Sequence, residues 1–86
     1  MRKSDSSNMD PYQALANAIV QTAAEDYRAA LKRLERNPEN HIARHEANDI
    51  RKFFRSQWYE MLTDVDGEYL LRLLDAEHPA VYFPDE

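Results

Sequence analysis

Eighty-six residues with no cysteine, one glycine and four prolines exclude a disulfide scaffold, a thiolate metal site and a turn-rich β protein, and leave room for one small core. The formal net charge of −5 argues against a simple nucleic-acid coat. No apolar run is long enough for a membrane span.

The charge is polarised along the chain. Residues 1–27 carry two basic and four acidic side chains, 28–55 carry eight basic and four acidic, and 56–86 carry one basic and eight acidic. Such asymmetry usually marks solvated faces, and it also steers partners. Residues 1–9 hold few apolar anchors and no hydrophobic stretch of the kind that marks a signal peptide, so they read as disordered. The expected location is the cytoplasm.

Asp10-Pro11 reads as a helix start, with Asp at the cap and Pro at the first helical position. Tyr12, Ala16, Ile19, Ala23, Tyr27, Ala30 and Leu34 then recur at steps of three and four, which is one helix face. Leu15, Val20, Ala24 and Leu31 widen that face to about half the circumference. The helix ends at Arg36, about 25 residues or 37 Å from its start. Asn37-Pro38 breaks it, and Asn37 is the expected cap of the next helix.

In that second helix, Ala43, Ala47, Ile50, Phe54 and Trp58 form the inward ladder, with Met61 close to the same face. Two readings stay open: the helix runs on to Thr63, or Ser56 caps a short new one. Asp64-Val65-Asp66-Gly67 is the next break, and Asp66 caps a last helix carrying Tyr69, Leu70, Leu73 and Leu74. The tail Ala80-Val81-Tyr82-Phe83-Pro84 is too apolar for simple disorder. It lies extended on the helices or serves as a docking peptide. The predicted fold is therefore all-α: a long antiparallel helical hairpin completed by one or two short C-terminal helices. Its parts are a disordered segment at 1–9, a helical domain at 10–78 and an extended tail at 79–86.

Candidate chemistry is sparse. His41 and His45 share a helix face at i, i+4, but no third ligand accompanies them, so solvent-exposed histidines are the simpler reading. Asp64-x-Asp66-Gly67 imitates part of a calcium loop. An EF-hand register would place Leu62 and Leu73 at essential ligand positions, and helix capping explains the acids better. With one glycine no phosphate-cradling loop can form, and no nucleophile, base and acid can be assembled. The chain reads as a non-enzyme with no cofactor and no metal.

Two surfaces remain. Adjacent aromatics on a helix diverge by about 100°, so with Phe54 and Trp58 in the seam, Phe53 and Tyr59 point away from it. Either the C-terminal segment covers them or they form a partner patch. That patch would comprise Phe53, Arg55 and Tyr59, flanked by Asp64, Asp66 and Glu68. Alternatively, Arg28, Lys32, Arg36 and Arg51 form a basic stripe for phosphates of nucleic acid or a signal nucleotide, against the simpler reading of cations complementing helix C-termini.

Asp26-Tyr27-Arg28-Ala29-Ala30-Leu31-Lys32-Arg33-Leu34 followed by Arg36-Asn37-Pro38 resembles a family of small helical proteins encoded by bacteriophages and prophages. So do Phe53-Phe54-Arg55-Ser56-Gln57-Trp58 and Leu62-Thr63-Asp64-Val65-Asp66-Gly67-Glu68-Tyr69-Leu70. The resemblance covers residues 14–75. It implies a viral or prophage setting inside a bacterial cell and supplies no catalytic residues. The expected function is that of an accessory protein binding a host or phage protein, such as an inhibitor of a bacterial defence system. The alternatives are a helical oligomer that binds nucleotides through its basic stripe, and a self-associating assembly helper of a phage complex.

Overall fold

The computed structural model describes residues 10–84 as four helices. They are α1 (Pro11–Arg36), α2 (His41–Phe54), α3 (Gln57–Leu62) and α4 (Gly67–Ala76). No strand occurs among the described residues, so the chain is all-α with one long helix and three shorter ones. The disordered segment expected at 1–9 and the final Asp85 and Glu86 lie outside the described residues. None of the described helices is long and apolar enough to cross a membrane.

Local chemistry sets each boundary. The Gln13 N–H donates to Asp10 Oδ1 at 2.7 Å, and Pro11 occupies a position whose N–H has no intrahelical acceptor. At the other end, Pro38 forces Asn37 into extended backbone and stops α1. The expected cap at Asn37 moves to Asn40, whose Oδ1 accepts from the Ala43 N–H at 3.0 Å. Asn37 instead accepts from the Glu39 N–H at 3.0 Å, a turn that spaces the two helices.

Ser56 decides the open question in the second helix. Its hydroxyl donates to the Phe53 carbonyl at 2.7 Å and accepts from the Tyr59 N–H at 3.1 Å. One side chain thus closes α2 and opens α3. The break resets the helical phase. Tyr59 and Leu62 turn inward and are buried, whereas Trp58 is 56% exposed and Met61 is 74% exposed. The expected ladder therefore holds for Ala43, Ala47 and Phe54, and it fails at Trp58 and Met61 because it assumed an unbroken helix.

Beyond α3 the Thr63 hydroxyl accepts from the Val65 N–H at 3.2 Å. Asp66 Oδ1 then accepts from the Glu68 N–H at 3.0 Å and caps α4, as its position predicts. Three ion pairs give the direction of α4: Arg55–Glu68, Arg51–Asp75 and, from α1, Arg28–Glu77. The helix returns antiparallel to α2, and the tail continues that course to Tyr82, whose carbonyl accepts from Arg44 Nη1 at 2.6 Å.

The core gathers Tyr27, Ala30, Leu31 and Leu34 from α1, Ala43, Ala47 and Phe54 from α2, Tyr59 from α3, and Leu71 and Leu74 from α4. Three alanines facing one another let the backbones of α1 and α2 approach closely, while the large side chains fill the space towards α4. The apolar ladder of α1 is therefore only half in the core. Ala16 is buried, but Tyr12 and Leu15 are 61% and 58% exposed.

Gly67 sits where α4 meets the end of α2. A Cβ there would stand 1.9 Å from the Phe54 carbonyl oxygen and 3.3 Å from the Tyr59 ring. The first obstacle is backbone and cannot swing aside. Gly67→Ala is expected to destabilise the fold by about 2 kcal/mol or more, and Ser56→Ala by about 1 kcal/mol. Both are read as lowered midpoints in urea unfolding followed by circular dichroism.

Candidate functional site

The sequence singles out two sets of residues, and packing redistributes both. In the aromatic set, Tyr59 is 1% exposed, with its ring edge-on to Phe54 at 5.5 Å and to Phe53 at 5.7 Å. The expected partner contact at Tyr59 is thus corrected: the residue is core. Phe53 is half-buried and meets Trp58 edge-on at 5.4 Å, so it forms the floor under Trp58 rather than an open patch. Arg55 is bound to Glu68 through both its Nε and Nη2. Asp64, Asp66 and Glu68 are exposed, although Asp66 is engaged as a cap and Glu68 as the partner of Arg55.

The basic stripe divides in the same way. Arg51, expected to meet phosphates, is 5% exposed because the core needs it elsewhere. Its Nη1 donates to the Tyr27 hydroxyl at 2.5 Å and to Asp75 Oδ2 at 2.9 Å, and the Tyr27 hydroxyl donates to Asp75 Oδ1 at 2.5 Å. The Phe83 ring closes this knot from the tail. Its centroid lies 4.0 Å from the Arg51 guanidinium carbon, and it stacks on Tyr27 at 6.4 Å with an interplanar angle of 24°. A buried charge held by a carboxylate, a phenol and a ring face is structural.

Arg28 is also drawn inward in charge, donating to Glu77 at 3.0 and 3.4 Å. Those hydrogen bonds hold the Glu77 carboxyl below its usual range. Lys32 and Arg36 stay exposed on α1.

Burial raises the Tyr27 phenol far above its ordinary value, with the hydrogen bond to Asp75 adding to the shift and Arg51 opposing it. Tyr59 is raised by burial first and by Asp66 second. Its hydroxyl is buried with no hydrogen-bond partner among the described residues. His41 and His45 are exposed, and His45 Nε2 stands 3.4 Å from Asp49 Oδ2. Among the described residues no three His, Asp or Glu side chains converge as metal ligands.

What the structure leaves open to solvent is an apolar end that the sequence placed inside. Trp58 and Met61 are one turn apart on α3, and Tyr12 and Leu15 are one turn apart on α1. The two helices meet there, since Gln13 shares a cleft with Met61, Leu62 and Val65. Val65, 50% exposed, extends the same end. The signal that would have found this surface is Ser56, a capping residue type just before Trp58. Restarting the helix at that point turns residues 58 and 61 outward.

No family model, curated protein or solved structure matches this chain in comparison, so its surfaces are read from their own chemistry.

The two buried tyrosines predict opposite effects of losing a hydroxyl. Tyr27→Phe removes two hydrogen bonds and leaves Arg51 and Asp75 under-satisfied, at a cost of about 2 kcal/mol. Tyr59→Phe removes an unsatisfied group and should leave stability unchanged or raised. Both phenols are raised above the ordinary 10.0 in the folded state. The unfolded chain therefore loses those protons first. Their contribution to stability is fully present below pH 10 and falls as pH rises above it. Urea titrations at neutral and alkaline pH should show a shallower alkaline decline in the double Phe variant.

Proposed function

We propose that this protein is a non-enzymatic binding module whose contact surface is the apolar end formed by α3 and the first turns of α1. The observation that carries this reading is the exposure of Trp58 and Met61 side by side, over a floor supplied by Phe53. A tryptophan backed by a buried aromatic cluster is rigid and offers a large contact area at little entropic cost. Such residues dominate binding energy where proteins meet. Methionine beside it adapts to the shape of the other side.

Acidic side chains rim this end. Glu60, Asp64 and Asp66 are exposed around the α3–α4 turn, which favours a partner with a basic border around an apolar pocket. The partner patch first read at Phe53, Tyr59 and Arg55 thus moves by one helical position, from Tyr59 to Trp58 and Met61. Asp64 and Asp66 remain at its edge. The resemblance to phage-encoded proteins favours a host or phage protein as the partner, with inhibition of a host defence protein the consequence in keeping with a small acidic binder.

Trp58 is the single tryptophan, so the surface reports on itself. Affinity capture from bacterial lysate with the wild-type chain and with Trp58→Ala/Met61→Ala is the direct test. The expected outcome is a protein recovered by the wild type and lost by the variant, whose purified form shifts the Trp58 emission to shorter wavelength on titration. Equal recovery by both, with unchanged emission, would overturn the reading. Sedimentation over a concentration series separates a second copy of this chain from a different protein.

A further inference from the structure

A second feature lies along α2, and its lining includes neither Trp58 nor Met61. The tail crosses α2 there and leaves a groove of about 710 Å³, within the range of small-ligand sites. Arg44, His45 and Lys52 line it from α2, Arg55 from the C-cap of that helix, and Tyr82 and Phe83 from the tail. On α2 the cations recur one to two turns apart, so they form a single face. Among the described residues Asp49 is the one carboxylate in this lining.

The charges of this groove are unevenly satisfied. Arg51 and Arg55 are paired with Asp75 and Glu68. Arg44 is fixed differently: its Nη1 donates to the Tyr82 carbonyl, and its guanidinium carbon lies 5.2 Å from the Phe83 ring centroid. A carbonyl and a ring orient a guanidinium without cancelling its charge. Lys52 is exposed, and among the described residues no carboxylate stands within ion-pair distance of Arg44 or Lys52. The two are eight residues apart, about 12 Å along the helix, which a short chain of phosphates can bridge with the reach of the exposed Lys52 side chain. Tyr82, 73% exposed, offers a flat face beside them.

We infer that this groove is a binding site for a nucleotide, with the phosphates between Arg44 and Lys52 and the base against the Tyr82 ring. Cations suit phosphate oxygens, and an exposed ring suits any base because every base has a stacking face. The net charge of −5 and the acids of α4 disfavour a long polyanion, which would have to leave the groove and cross them. A mononucleotide fits within it.

The probes are ATP, inorganic triphosphate and adenosine, titrated calorimetrically into the wild-type chain at low salt. ATP is expected to bind, with affinity falling as salt rises, and to bind more tightly than either fragment. Lys52→Glu should weaken ATP about tenfold, the worth of one charge-assisted contact. Arg44→Gln, which keeps a donor for the Tyr82 carbonyl, should weaken it comparably. Tyr82→Ser should weaken ATP and leave triphosphate unchanged. Lys32→Glu, on the exposed face of α1, should change nothing, and circular dichroism checks that each variant is folded.

A flat ATP titration overturns the inference. So does equal weakening by Lys32→Glu, which would mean diffuse attraction, or triphosphate binding as tightly as ATP, which would leave the ring without a role. Tighter binding of a single-stranded oligonucleotide than of ATP would replace this site with a nucleic-acid surface. None of these outcomes bears on the Trp58–Met61 surface, so the two readings stand or fall separately.

Discussion

The guanidinium of Arg51, buried where α2, α1, α4 and the tail converge, constrains the rest of this structure. A buried cation is tolerated only when it is paired and hydrogen-bonded, and no one element of the chain supplies that environment. Tyr27 comes from α1, Asp75 from the last turn of α4, and Phe83 from the tail. Each must be in place for the charge to be satisfied, so the knot couples the docking of α4 to the path of the residues that follow it. Apolar burial in a domain of this size is modest. A specific polar centre of this kind selects one arrangement of the four helices among several that would bury similar area.

The polarised charge along the sequence finds its explanation in the same place. The acidic C-terminal segment folds back along the basic middle of the chain, so Glu68, Asp75 and Glu77 meet Arg55, Arg51 and Arg28. The exposed pairs are each worth little, on the order of 0–1 kcal/mol. Their collective effect is on register: sliding α4 by one turn would break all three. Much of an asymmetry that suggests steering of an external partner is thus neutralised within the molecule. Among the described residues, charge left without an ion pair includes Arg44 and Lys52 at the tail groove and the acids around the α3–α4 turn.

The Trp58–Met61 end and the tail groove have different physical origins. The Trp58–Met61 end exists because Ser56 ends one helix and begins another, which exchanges Trp58 for Tyr59 in the core. Gly67 keeps it so, since its missing side chain lets α4 pack against the Phe54 carbonyl and hold Tyr59 beneath. The groove exists because the tail is anchored at two points, the Tyr82 carbonyl on Arg44 and the Phe83 ring on Arg51. Between those anchors and α2 there is space that no described side chain of the tail fills.

The long first helix, its Asp10 cap, its stop at Asn37-Pro38 and the Asp66 cap of α4 were all legible in the residues, because each rests on interactions within a few positions of one another. So was the all-α class, from periodicity and the scarcity of turn residues. Where the helix phase restarts was not. Ser56 is compatible with a helix interior or with a cap, and only packing of Tyr59 against Phe54 selects the second. Nor could the sequence separate Arg51 from Arg28, Lys32 and Arg36. Its burial depends on Tyr27, Asp75 and Phe83, which lie 24 residues or more away along the chain. Local backbone chemistry fixed the long first helix and the cap of the last one. The side chains that became core, knot or open surface were decided by contacts between distant residues, which exist only once the helices have docked.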